Sequence, residues 1–142
     1  MYFGEYKVAL DDKGRMRIPN KMKAQIGTEA VVICAGTDRS LFVMTESEFH
    51  EWVGKFSERV LMRDLEKQNA IRMISSTVFM PEEDAQGRFV LPQKLKEYAG
   101  INKKVVFLGL NQRVEIWAEE SYEQKFGVDN WDINSAVNAL WV

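Results

Sequence analysis

The chain has few residues suited to binding metals or forming cross-links. Its 142 residues include one cysteine, one histidine and three prolines. A structural zinc site uses four Cys or His ligands. A single cysteine also excludes an intramolecular disulfide, which fits a reducing cytosol. We therefore predict no metal site, and we interpret Cys34, inside the apolar run 31–35, as a small buried hydrophobic residue.

The motifs of common enzymes and nucleotide sites are also missing. The sequence contains no P-loop, no G-x-G-x-x-G and no G-x-S-x-G motif. His50 lies in an acidic helical stretch, which favours an exposed helical residue over a catalytic base. Asp11 and Asp84 each precede an arginine by four residues, which favours a structural ion pair over a raised pKa. We predict no enzymatic activity, no cofactor and no small-molecule substrate.

Long apolar segments are missing as well. No run approaches the roughly 20 residues that cross a bilayer, and the N-terminal MYFGEYK lacks the charged and apolar regions of a secretory signal. These patterns predict a cytoplasmic protein without a membrane partner. A hydrophobic content of 46% is sufficient for one ordinary globular core.

The most informative feature that is present is an internal repeat. Residues 11–19 read DDKGRMRIP and residues 84–92 read DAQGRFVLP, a shift of 73 residues. The same shift aligns further identical residues: Lys21 with Lys94, Lys23 with Lys96 and Gly27 with Gly100. A single core is marginal in a copy of only about 50 residues. We therefore predict one compact pseudo-symmetric domain in which each half completes the core of the other.

Each half has a pattern typical of short strands followed by helices. Residues 6–10 and 16–18 predict a strand and a returning strand around the turn at 11–14. Residues 20–26 have helical spacing that ends at Gly27. Further apolar pairs predict one hairpin in each half, at 31–35 with 41–44 and at 105–108 with 114–117.

We divide the chain into four segments. They are a first repeat over 1–56, a helical connector over 57–74, a second repeat over 75–126 and a helical C-terminal tail over 127–142. The tail has an apolar stripe at helical spacing: Ile133, Ala136, Val137, Leu140 and Trp141. This stripe can dock onto its own domain or onto a neighbouring subunit, and the sequence leaves both interpretations open.

Positive charge is concentrated in the first half. The net charge is −2, yet the stretch 7–23 carries six basic residues against two aspartates. Lys13, Arg15 and Arg17 stand at alternate positions, which places them on one face of a strand. Arginine binds a phosphate or a guanine edge with two parallel hydrogen bonds. This cluster favours a polyanion as the partner of the first half.

Both copies of the motif combine an aspartate, a glycine and an arginine. The first turn contains Asp11, Gly14 and Arg15, and the second turn contains Asp84, Gly87 and Arg88. The glycine permits a positive φ, and the carboxylate can then hold the guanidinium in place. The ion pair either presents the arginine to a ligand or only stiffens the turn. We favour presentation for Arg15 and leave both readings open for Arg88, which apolar residues follow.

These motifs resemble the MraZ family, whose halves are similar to AbrB-like (SpoVT-AbrB) DNA-binding domains. The resemblance rests on FGEY at 3–6, on residues 11–15 with 18–19, and on residues 84–88 with 91–92. It implies an α+β, mainly β fold, in which two tandem repeats form a pseudo-two-fold swapped-hairpin barrel with flanking helices. It also implies a ring-shaped homo-oligomer that binds promoter repeats at the division and cell-wall gene cluster.

We predict a nucleoid-associated transcriptional regulator that binds double-stranded DNA sequence-specifically. The predicted DNA contacts are Lys13, Arg15, Arg17, Lys21, Lys23 and Arg88. The predicted turn-forming and arginine-orienting residues are Asp11, Gly14, Asp84 and Gly87. Rotation around a ring presents every subunit to DNA with the same polarity, which predicts direct repeats about 10 bp apart. The alternative is a non-enzymatic interaction or scaffold protein whose repeated turns are subunit contacts.

Overall fold

The computed structural model describes residues 1–141, which fold into short strands and helices. The strands are β1 (Tyr2–Ala9), β2 (Arg15–Arg17), β3 (Val31–Ala35), β4 (Leu41–Thr45), β5 (Arg88–Val90), β6 (Lys104–Asn111) and β7 (Val114–Ala118). The helices are α1 (Asn20–Ile26), α2 (Glu46–Ser57), α3 (Leu65–Ser75), α4 (Gln93–Ala99), α5 (Glu119–Phe126) and α6 (Ile133–Leu140). This composition confirms the α+β part of the predicted fold class.

Strands from the two halves are combined in both sheets. The larger sheet has the antiparallel order β1-β6-β7-β4-β3, and the smaller sheet pairs β2 with β5. β1 runs along β6 from Tyr2 opposite Asn111 to Ala9 opposite Lys104. Each half therefore completes a sheet of the other. Over residues 1–141 the two sheets stay separate, and no strand ladder closes them into the predicted barrel.

The segment after the first turn does not return along β1 as the sequence predicted. The Asp11 N–H donates to the Arg15 carbonyl at 3.0 Å, after which β1 follows β6 and β2 follows β5. This register sets Met16 opposite Phe89, and both side chains are buried. β5 of the second half therefore adds Phe89 to the core beside Met16 of β2.

The end of α1 lies at the predicted capping residue, whereas the start of the connector helix does not lie where it was predicted. α1 ends at Gly27, and α2 begins with a capping box between Thr45 and Glu48. The helix predicted over 57–74 is wrong at its start, because α3 begins only at Leu65. Asp64 caps that helix by accepting the Lys67 N–H at 3.1 Å. Within residues 1–141 no helix is long and apolar enough to cross a membrane.

The main hydrophobic core draws on both halves. It joins equivalent residues of the repeat, including Met16 with Phe89 and Ile18 with Leu91. A second cluster contains Cys34, which is fully buried with Phe42 and Met44. Burial raises the pKa of the Cys34 thiol to about 11. The prediction of a small buried hydrophobic residue at this position is confirmed.

Candidate nucleic-acid interface

The first turn is organised by one carboxylate. Asp11 Oδ1 accepts the N–H groups of Lys13 at 3.0 Å and Arg15 at 2.8 Å, and Asp11 Oδ2 accepts Arg15 Nε at 2.6 Å. Gly14 donates its N–H to the Asp11 carbonyl and has a φ of 75°, which strains residues that carry a side chain. Asp11 thus shapes the backbone of the turn and orients the guanidinium of Arg15.

The second turn repeats this geometry. Asp84 Oδ1 accepts the N–H groups of Gln86 and Arg88, both at 2.9 Å, and Asp84 Oδ2 accepts Arg88 Nε at 2.8 Å. Gly87 has a φ of 78°. Asp84 Oδ2 also lies 4.0 Å from Arg15 Nη1. The second carboxylate is therefore close to both arginines.

Hydrogen bonds to the two carboxylates keep them ionised. The backbone N–H of Arg15 makes the largest contribution to lowering the pKa of Asp11, followed by its guanidinium and the Lys13 N–H. The pKa of Asp84 is lowered in the same way, with Arg88 and Gln86 as donors. The prediction of structural ion pairs in place of raised carboxyl pKa values is confirmed.

The strands that follow the two turns form a ribbon with a basic outer surface. Because Met16 and Phe89 face the core, the alternate residues face outwards, with Arg17 opposite Arg88 and Arg15 opposite Val90. We call these four outward residues the ribbon face. Like charges directly opposite each other destabilise a strand pair. Asp84 offsets part of that repulsion at Arg88, and an anion placed between Arg17 and Arg88 would offset more of it.

The predicted lysines lie around the ribbon in different settings. Lys13 is exposed in the first turn, and Lys21 is exposed on α1. Lys23, also on α1, forms a salt bridge with Glu83 of the second half. The structure therefore brings Arg15, Arg17 and Arg88 together on one face and joins Lys23 to a carboxylate.

The sequence prediction did not include two residues that lie near the turns. A methyl group placed on Gly14 would lie 3.7 Å from Nζ of Lys96, which extends from α4 of the second half to the first turn. The 73-residue shift aligns Lys96 with Lys23 and was the signal that could have found it. Glu83 gave no such signal, because its repeat equivalent is Leu10.

The ribbon face carries arginine and valine side chains, which are chemically suited to contacts with DNA bases. A two-stranded ribbon fits the major groove, where arginine binds the O6 and N7 atoms of guanine. An apolar side chain such as Val90, which is 49% exposed, can contact a thymine methyl group. Among residues 1–141, no group of three or more His, Cys, Asp or Glu side chains is placed to hold a metal ion.

Two apolar surfaces are exposed on the helices. A groove between α2 and α3 has an apolar lining that includes Trp52, Phe56, Val60, Ile71 and Ile74. The tail helix α6 exposes the apolar residues Ile133, Val137 and Leu140, and Trp141 after it is 86% exposed. These outer residues of the tail stripe are not covered by residues 1–141 of the chain.

Several known proteins with similar sequences are named transcriptional regulator MraZ. The sequence profile described as MraZ protein matches residues 1–70 and 73–130. A relative from Acetivibrio thermocellus, named transcriptional regulator MraZ, is 33% identical over 140 residues, covering 99% of this chain and 96% of its own length. Relatives with the same name from Finegoldia magna and Halothermothrix orenii are 38% and 37% identical. Both matches cover 87% of this chain, and they cover 85% of the Finegoldia magna protein and 93% of the Halothermothrix orenii protein.

Proposed function

Because the chain belongs to the MraZ family, we propose that it is a transcriptional regulator that binds double-stranded DNA through its ribbon face. The observation that carries this proposal is the convergence of Arg15, Arg17 and Arg88 on one face of a two-stranded ribbon. Arg15 and Arg88 are also held by carboxylates. Orienting a guanidinium before binding reduces the entropy lost when it meets DNA.

We expect the first turn to make the stronger contact. Lys13 and Arg17 surround Arg15, whereas the equivalent positions of the second turn hold Gln86 and Val90. Lys21 is a further phosphate contact in this proposal. A scaffold protein with subunit contacts at these turns is the alternative function. An interface of that kind has an apolar core, whereas a DNA-binding face is basic and rich in arginine, so the composition of the ribbon favours DNA.

Self-association into a ring is the second part of the proposal. In both sheets, strands of one half pair with strands of the other, which gives a pseudo-two-fold arrangement in keeping with swapped hairpins. Because one chain already contains this arrangement, we expect contacts between chains to be head-to-tail. The α2–α3 groove and the α6 stripe are suitable apolar surfaces. Their charges are opposite in sign. Residues 55–75, around the groove, include five basic and three acidic residues, whereas the charged residues of 127–141 are Asp129 and Asp132.

The proposed operator consists of direct repeats in the promoter of the division and cell-wall gene cluster. Subunits related by rotation about a ring axis meet the DNA in one orientation, so repeats about one helical turn apart fit them. Several subunits bound together gain affinity by avidity. Footprinting should show repeated protection about every 10 bp, and native mass measurement should show more than two subunits. A dimer that protects an inverted repeat would refute the ring and leave DNA binding standing.

Binding to a duplex of the chain's own upstream DNA at graded salt tests the central claim. Each phosphate neutralised contributes a slope of about −0.9 to the plot of log affinity against log salt. We expect a steep decline despite the net charge of −2. Arg15→Ala serves as the variant with a weakened site. Affinity that is independent of salt and unchanged by Arg15→Ala would favour the scaffold function.

A further inference from the structure

Two equivalent lysines of the repeat have different surroundings. Lys23 extends from α1 of the first half to Glu83, just before the second turn, and forms a salt bridge with it. Lys96 extends from α4 of the second half to Gly14 in the first turn. Each turn thus receives a lysine from the opposite half, and only one of these lysines is held by a carboxylate among residues 1–141.

The difference arises from one position of the repeat. Glu83 precedes Asp84, and its side chain reaches to about 4.0 Å from where a methyl group on Gly87 would lie. The equivalent residue before Asp11 is Leu10, which carries no charge. A carboxylate at this position both neutralises the incoming lysine and repels a phosphate. Leucine does neither.

We propose that the residue before each aspartate determines which turn binds the DNA backbone. Lys96 is then an additional phosphate contact of the first turn, and Glu83 prevents Lys23 from acting in the same way at the second turn. This inference rests on the proposed DNA-binding function and deepens it. It adds a lysine of the second half to Lys13 and Arg17 as a cause of the stronger binding of the first turn.

Matched lysine variants of the full chain separate the two roles. The probe is the same upstream duplex, with affinity measured at several salt concentrations. Losing one phosphate contact weakens binding by roughly fivefold near 0.15 M salt for each subunit engaged, and makes the salt slope shallower by about 0.9. We expect this loss for Lys96→Gln and less than a twofold change for Lys23→Gln. Unchanged DNA affinity in Lys96→Gln, or equal losses of affinity in the two lysine variants, would overturn the inference.

Replacing Glu83 tests the other half of the inference. Glu83→Leu copies the first-half residue, and Glu83→Gln is the variant of similar shape in case leucine disturbs folding. Either change should strengthen binding and steepen the salt slope. In that background Lys23→Gln should reverse the gain, which makes the two substitutions non-additive. Unchanged affinity in both correctly folded Glu83 variants, verified by thermal melting, would contradict the proposal.

Arg15→Ala distinguishes the failure of this inference from the failure of the proposed function. If Arg15→Ala weakens binding and Lys96→Gln does not, DNA binding stands and the role of Lys96 is rejected. If neither change has an effect, the ribbon face is not the DNA-binding surface, and both proposals fail.

Discussion

The first turn (residues 11–15) and the second turn (residues 84–88) have the same internal geometry and different surroundings. In each turn the aspartate accepts two backbone N–H groups and one guanidinium, and the glycine adopts a positive φ. Around the first turn lie Lys13 and Lys96, whereas Glu83 stands beside the second. The comparison shows that one backbone arrangement occurs in both copies with different charges around it, and in our proposal these charges make the first turn the stronger DNA contact.

The largest expected effect concerns the core that the two turns share. Phe89→Ala should lower the free energy of unfolding by about 3–5 kcal/mol and Met16→Ala by about 2–5 kcal/mol, because both residues are only 2% exposed. Denaturant unfolding measures both losses. The outward neighbour Val90→Ala is the control and should cost less than about 1 kcal/mol. Two separate unfolding transitions would show that the halves do not share one core.

A smaller effect should separate the two arginines. Arg15→Ala should weaken operator binding by about 1–3 kcal/mol, with the fold intact, if the guanidinium contacts the DNA as proposed. Arg88→Ala should cost less, since Glu83 reduces the positive charge around the second turn and Gln86 stands there in place of Lys13. Titration of labelled DNA with each variant measures the difference. A greater loss at Arg88 would reverse the order of the two halves.

The two glycines should instead behave alike. Gly14→Ala and Gly87→Ala should each destabilise the protein by about 1–2 kcal/mol, because both have φ near 75° and no heavy atom crowds the added methyl group. Gly54→Ala within α2 is a matched control, and should stabilise the helix by about 0.5–1 kcal/mol. Thermal unfolding of the three variants tests this, and unequal losses at Gly14 and Gly87 would mean that the turns differ in more than charge.

The smallest effect is the pH dependence of the two carboxylates. Their pKa values are lowered in the folded protein, so the stability they contribute is present above the unfolded-state pKa of about 3.9 and is lost as the pH falls through the folded-state values. Asp11→Asn and Asp84→Asn should lower the Tm at pH 7 by similar amounts, and the differences should shrink towards pH 3. Asp12→Asn controls for net charge. A difference that persists in acid would contradict this origin.

Local features of the fold were predictable where they depend on neighbouring residues. β3 at Val31–Ala35 and α1 at Asn20–Ile26 have the predicted bounds, because apolar periodicity and Gly27 define them locally. The Asp–Arg ion pairs were predictable from their spacing of four residues. The hairpin partners, β3 with β4 and β6 with β7, were also predicted correctly. The partners of β1 and β2 were not, because a repeat offers these strands two chemically similar candidates. The Lys23–Glu83 contact joins residues 60 positions apart that no motif connects.

The pairing of β1 with β6 has a consequence for synthesis of the chain. Tyr2 lies opposite Asn111, so its partner is made 109 residues later. At about 5–20 residues per second, the nascent strand waits about 5–20 seconds for that partner to be translated. During this interval β1 is an unpaired edge that carries the exposed Phe3, which favours association with other chains. β1 can therefore pair with β6 only after most of the chain has been synthesised.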